Sequence, residues 1–139
     1  MKARVKWIEN STFIGESNSG HAVVMAASTS PGGATTAPSP MEYLLLGTGG
    51  CTSVDVVMIL QKGRNDVQGC ECRLEAERAA TEPKVFTKIN MHFVVTGRNL
   101  KPDTVQRAID LSAEKYCSAS IMLGKTAEIT HSFEIIEAA

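Results

Sequence analysis

An excess of charge of either sign is missing from this chain. Its 139 residues hold fourteen Lys and Arg against fifteen Asp and Glu. No Lys/Arg cluster breaks that balance, so electrostatic capture of nucleic acid or of an anionic membrane surface is not expected. No signal peptide is expected either, because MKARVKWIEN becomes charged and polar too early. The longest apolar run carries Glu42 and Asp55, which argues against a membrane span. Cysteines are few: four in 139 residues make no dense disulfide framework. In a reducing, cytoplasmic compartment they read as core residues, metal ligands or redox groups. No H-E-x-x-H zinc spacing, G-x-S-x-G elbow, phosphate-binding loop or dinucleotide fingerprint occurs, and no internal repeat. With 139 residues there is enough chain for one domain, 1–139, with its own core.

The residues that are present alternate or repeat in recognisable periods. In ARVKWI (3–8), Ala3, Val5 and Trp7 face one way and Arg4 and Lys6 the other, as in a half-buried strand. Two short strands follow, over 12–15 and 21–25, joined by the turn SNSG. Residues 26–40, AASTSPGGATTAPSP, form a long small-residue loop, suited to a lid or to a plain connection. A helix of about 33 Å is expected over 41–62, capped by Ser39, with Pro40 in its first turn and Glu42 near its positive end. It is apolar nearly all round and should be central. CECRLEAERA (70–79) alternates, with Cys70, Cys72, Leu74 and Ala76 on one face. A strand over 85–96 turns Ile89, Met91, Phe93 and Val95 inward. A second long helix over 103–123 and a strand over 127–136 complete the chain. The order β-β-β-α-β-β-α-β, with long strands joined by a turn, predicts an α+β fold with antiparallel sheets and two long helices.

The run LLLGTGGCTSVDVVMIL (44–60) poses the chemical question. Three glycines inside a helix cost roughly 3 kcal/mol, and something must offset that. Gly47, Gly50, Cys51 and Val54 share a stripe of small side chains. The second helix has its own small region, Ser112, Ala113 and Cys117–Ser120. If the two regions meet, Cys51 and Cys117 become neighbours. Tight helix packing with Cys51 as a small apolar filler explains the same stripe. A reactive cysteine needs a cation or a helix N-terminus. Cys51 is mid-helix with Asp55 one turn on, and no arginine lies between Arg4 and Arg64. Any cation must come from elsewhere in the fold or from a partner chain. Cys70 and Cys72 read as sheet-face packing. His92 lies on an outer face, and His131, between Ile129 and Phe133, reads as a satisfied core histidine.

Two segments, SPMEYLLLGTGGCTSVDVVMILQKGR and DLSAEKYCSASIML, resemble the OsmC/Ohr family, in their motifs, in their separation and in the order of elements. The resemblance covers nearly the whole chain. It implies an intertwined homodimer with two sites at the subunit interface. It also implies a cofactor-free, metal-free, thiol-dependent peroxidase that takes organic hydroperoxides and is reset by a dithiol reductant. Carried over, Cys51 is the peroxidatic nucleophile, Cys117 the resolving thiol and Glu42 the catalytic carboxylate. The family's usual glutamate position, ten residues before the cysteine, is Met41 here, and Ser118 stands where many members have proline. An apolar-ligand-binding protein and a thiol redox sensor are the alternative functions for the same fold.

Overall fold

The structure, a computed structural model, describes residues 1–28, 32–33 and 35–139. The expected loop over 26–40 falls partly outside these residues, and so does its reading as a lid. The chain forms two compact units, Met1–Leu46 and Gly47–Ala139.

The first unit is an antiparallel meander of β1 (Ala3–Glu9), β2 (Thr12–Ser17) and β3 (Ala22–Ala26), in that spatial order. Its pairing matches the alternation of the sequence, with Val5 opposite Gly15 and Trp7 opposite Phe13. The expectation of a half-buried first strand is corrected. All of β1 is exposed, Trp7 to 63%, although its indole donates to the Asn10 carbonyl at 2.9 Å. Val5 and Trp7, on the apolar side of β1, are both more than half exposed. The unit ends in the first turns of helix α1 (Pro40–Lys62), where the Tyr43 hydroxyl donates to the Val24 carbonyl at 2.6 Å.

The second unit is built on a three-stranded sheet in the order β4 (Asp66–Arg78), β5 (Phe86–Arg98), β6 (Glu128–Glu137). Its central strand supplies the core: Ile89, Met91, Phe93 and Val95 are fully buried, each stabilising the fold by roughly 1.5–3 kcal/mol. β4 and β5 pair antiparallel as expected, whereas β5 and β6 run parallel, which corrects the all-antiparallel reading. A parallel pair needs a crossover, and the helical segment between β5 and β6 provides it.

That crossover is also not the one long helix expected over 103–123. It is three pieces: α2 (Pro102–Leu111), a π-helical turn (Ser112–Tyr116) and α3 (Ser118–Leu123). Cys117 stands at the break with extended backbone, φ −77° and ψ 94°.

Helix α1 lies on the sheet by one stripe only. Thr48, Gly49, Thr52, Val56 and Leu60 are buried at three- and four-residue steps. A Cβ on Gly49 would sit 2.7 Å from a Leu74 methyl, so a larger residue there would have to push that side chain aside. The rest of the helix is not covered as a central helix would be: Leu44, Leu46, Val54 and Met58 are 47–58% exposed. By length and composition alone α1 passes as a membrane span. In this fold its buried stripe is instead seated on a sheet.

Candidate functional site

Cys51 lies mid-way along α1, half-buried, and Cys117 is fully buried at the break between the π-helical turn and α3. The two thiols are free, and they lie near enough that Cys51 adds to the upward push on the Cys117 thiol. The expected meeting of the small-residue regions therefore occurs, but through different residues. Gly47 and Gly50 face open space among the described residues. The contact is made one step round the helix, where the Thr52 hydroxyl lies 2.9 Å from the Ser112 hydroxyl. The Ser112 hydroxyl in turn donates to Asp55 Oδ2 at 2.9 Å. Among the described residues, Gly49 is the one of the three helical glycines with a close neighbour.

The break in the crossover explains how Cys117 is presented. Its amide donates to the Ser112 carbonyl at 2.8 Å, closing the wide π turn. Its Sγ caps α3 by accepting from the Ser120 amide at 3.4 Å, and the Ser120 hydroxyl donates to its carbonyl at 3.3 Å. Burial pushes the Cys117 thiol above its ordinary pKa; the Ser120 donors act against that, and the Cys51 sulfur adds to it. Cys117 thus holds its proton more firmly than an exposed thiol does.

Glu42 does not act as a loose side chain. Its Oε1 accepts from the Ser39 amide at 3.1 Å, and the Ser39 hydroxyl accepts from the Glu42 amide at 3.1 Å. This reciprocal pair is a capping box, formed by the S-x-x-E spacing. Arg4, the one arginine ahead of α1, is paired with Glu16 at 3.1 Å on the exposed side of its own sheet.

Cys70 and Cys72 do pack on the inner sheet face, yet they also belong to the thiol neighbourhood. Both interact with the Ser53 hydroxyl on α1. Burial, then Cys70, then Cys117 push the Cys72 thiol up to about 11, against the pull of Ser53. The sequence signal for this was the alternation of 70–76 combined with Ser53 two residues after Cys51, a pairing visible only once strand and helix are docked. No group of three or more His, Cys, Asp or Glu suited to a metal occurs among the described residues.

His131 is corrected from a satisfied core histidine. Its ring stacks on Phe93 with centroids 6.4 Å apart, while its buried Nε2 has no partner among the described residues. Burial holds its pKa down, opposed by the charge of Asp110. His92 lies on the outer face as expected, in a polar ladder: its Nδ1 is 2.8 Å from the Ser132 hydroxyl and its Nε2 3.0 Å from Glu134. An apolar cavity of about 340 Å³ opens beside α1, lined by Asp55, Met58, Ile59, Lys62, Leu111 and Tyr116.

A mixed α+β chain with two three-stranded sheets, one free cysteine on a long helix and a second at a helical break, is the class of small protein this structure represents. The sequence profile described as "OsmC-like protein" matches residues 32–132, and the chain belongs to the OsmC-like family. It is similar to protein YhfA of Escherichia coli K12, with 55% identity over 99% of this chain and all of that one. Among solved structures, it is similar to a hypothetical protein of Aquifex aeolicus VF5, with 25% identity, TM-score 0.87, and 99% and 97% of the two chains covered. It shares the fold of the organic hydroperoxide resistance protein OhrB of Bacillus subtilis, at 13% identity, TM-score 0.65, and 96% and 98% coverage.

Proposed function

We propose that this protein reduces organic hydroperoxides with the Cys51–Cys117 pair, as a homodimer, in the reducing environment of the cytoplasm. The observation that carries the proposal is the docking of the two cysteine-bearing elements through Ser112, which brings the half-buried Cys51 and the buried Cys117 into one neighbourhood. Family membership and the fold shared with a hydroperoxide resistance protein support it.

In this reading the Cys51 thiolate attacks one oxygen of R–O–O–H. The O–O bond breaks, the alcohol leaves with a proton, and Cys51 becomes a sulfenic acid. Cys117 then attacks the Cys51 sulfur, water leaves, and a disulfide closes before further oxidation. A dithiol reductant restores both thiols, and no cofactor takes part. The apolar cavity reaches the face of α1 one turn from Cys51, at Asp55, and suits an alkyl or aryl group better than bare peroxide. Glu42, with its side chain fixed by the capping box, is assigned to orient the hydroperoxide. The cation that stabilises the thiolate is assigned to the second subunit. The uncovered apolar residues of α1 and β1 support a dimer, since an isolated chain would leave Trp7, Leu46 and Val54 in water.

Multiple-turnover consumption of tert-butyl hydroperoxide with a dithiol reductant tests the reading. Cys51→Ser should lower turnover by at least ~100-fold, because no other group takes over the nucleophile's role. Cys117→Ser should allow a first turnover and then accumulate overoxidised Cys51. A Cys51→Ser variant as active as the parent protein refutes the proposal.

A further inference from the structure

One residue holds both cysteine-bearing elements. Ser112 is fully buried at the start of the π-helical turn. Through its side chain it is bound to α1 on either side of one helical turn, accepting from Thr52 and donating to Asp55, each at 2.9 Å. Thr52 directly follows Cys51 and Asp55 is four residues beyond Cys51, so both anchors lie within about one turn of that thiol. Through its main chain Ser112 accepts the Cys117 amide at 2.8 Å. Thus the side chain grips the Cys51 helix and the carbonyl grips Cys117 itself. The π turn supplies the spacing: an i→i−5 bond widens the last turn by one residue and drops Cys117 into extended backbone at the mouth of α3. A regular helix through 112–123 would leave Ser112's carbonyl with residue 116 and rotate Cys117 away.

We propose that Ser112 is a positioning residue that sets the reach between Cys51 and Cys117, and so the tendency of that pair to close into a disulfide. The inference rests on the reading of Cys51 and Cys117 as a redox pair. Ser112 touches neither substrate nor sulfur; it acts by fixing how far Cys117 stands from α1. Without its hydroxyl, Asp55 and Thr52 lose their shared partner, and the turn is free to relax toward regular helix. The effective concentration of one thiol for the other then falls, and the disulfide becomes easier to reduce.

The test is a redox titration of the full-length protein against a dithiothreitol couple, with acid quenching, alkylation and mass mapping of the Cys51–Cys117 disulfide. Ser112→Ala should lower the disulfide-forming equilibrium constant about tenfold, which raises the reduction potential by about 30 mV. Thr52→Val, close in shape but lacking the hydroxyl, should shift the potential in the same direction and serves if Ser112→Ala does not fold. Val105→Ala, a buried α2 truncation outside the hydroxyl network, should lower thermal stability and leave the potential unchanged. A Ser112→Ala or Thr52→Val potential equal to that of the parent overturns the inference and leaves the redox pair standing. An equal shift in Val105→Ala also overturns it, because general loosening would then be the cause. If diamide closes no Cys51–Cys117 disulfide in the parent protein, both the inference and the pair it rests on fall.

Discussion

The Glu42 carboxylate accepts from the Ser39 amide while the Ser39 hydroxyl accepts from the Glu42 amide, both at 3.1 Å. Glutamine serves the same cap, because the box needs only a side-chain oxygen three residues past the serine. Glu42→Gln therefore separates structure from chemistry. The thermal midpoint should stay within about 2 °C of the parent, since the cap is retained, while hydroperoxide turnover should fall at least ~10-fold if the charged carboxylate orients the substrate. Unchanged turnover would remove Glu42 from the site and leave it as a cap alone. At this scale the sequence was informative wherever spacing is local. Ser39, Pro40 and Glu42 announce a helix start, and the inward row Ile89, Met91, Phe93, Val95 is correct residue by residue. It was silent on His131, because alternation shows which face a residue is on and not whether its second ring nitrogen meets a partner.

Elements were less legible than residues where two of them must meet. Helical periodicity runs unbroken through 103–123, so nothing in it marks the π turn or the extended Cys117. They coincide with the Ser112 bonds to α1, which join residues 57 and 60 apart in sequence. The parallel β5–β6 pair was missed for the same reason, since alternation carries no strand direction. The glycine stripe shows the converse. Gly49 is explained by Leu74, but Gly47 and Gly50 meet nothing within 4 Å. Replacing an uncovered helical glycine by alanine stabilises a helix by about 1 kcal/mol. If a second subunit packs on that stripe, Gly50→Ala should instead shift the protein from dimer toward monomer in analytical ultracentrifugation. A dimer of unchanged affinity, joined to higher thermal stability, would place the subunit interface elsewhere.

At the scale of the whole molecule, a polar network and a set of thiols converge on one side of α1 in the second unit, while Val54 and Met58 on its other side are exposed. The thiols come from three separate segments: Cys51 from α1, Cys70 and Cys72 from β4, and Cys117 from the crossover. The family resemblance implies roles for the first and last. The middle pair was legible only as a packed sheet face, because its link to Ser53 depends on how α1 docks on β4. That convergence makes the oxidised state the direct test of the account. The reduced protein should be treated with one equivalent of tert-butyl hydroperoxide, quenched with acid, alkylated, and mapped by mass spectrometry. The account predicts a Cys51–Cys117 disulfide, with Cys70 and Cys72 recovered as alkylated thiols. Hydroperoxide consumed at the normal rate while Cys51 and Cys117 both remain free would contradict it.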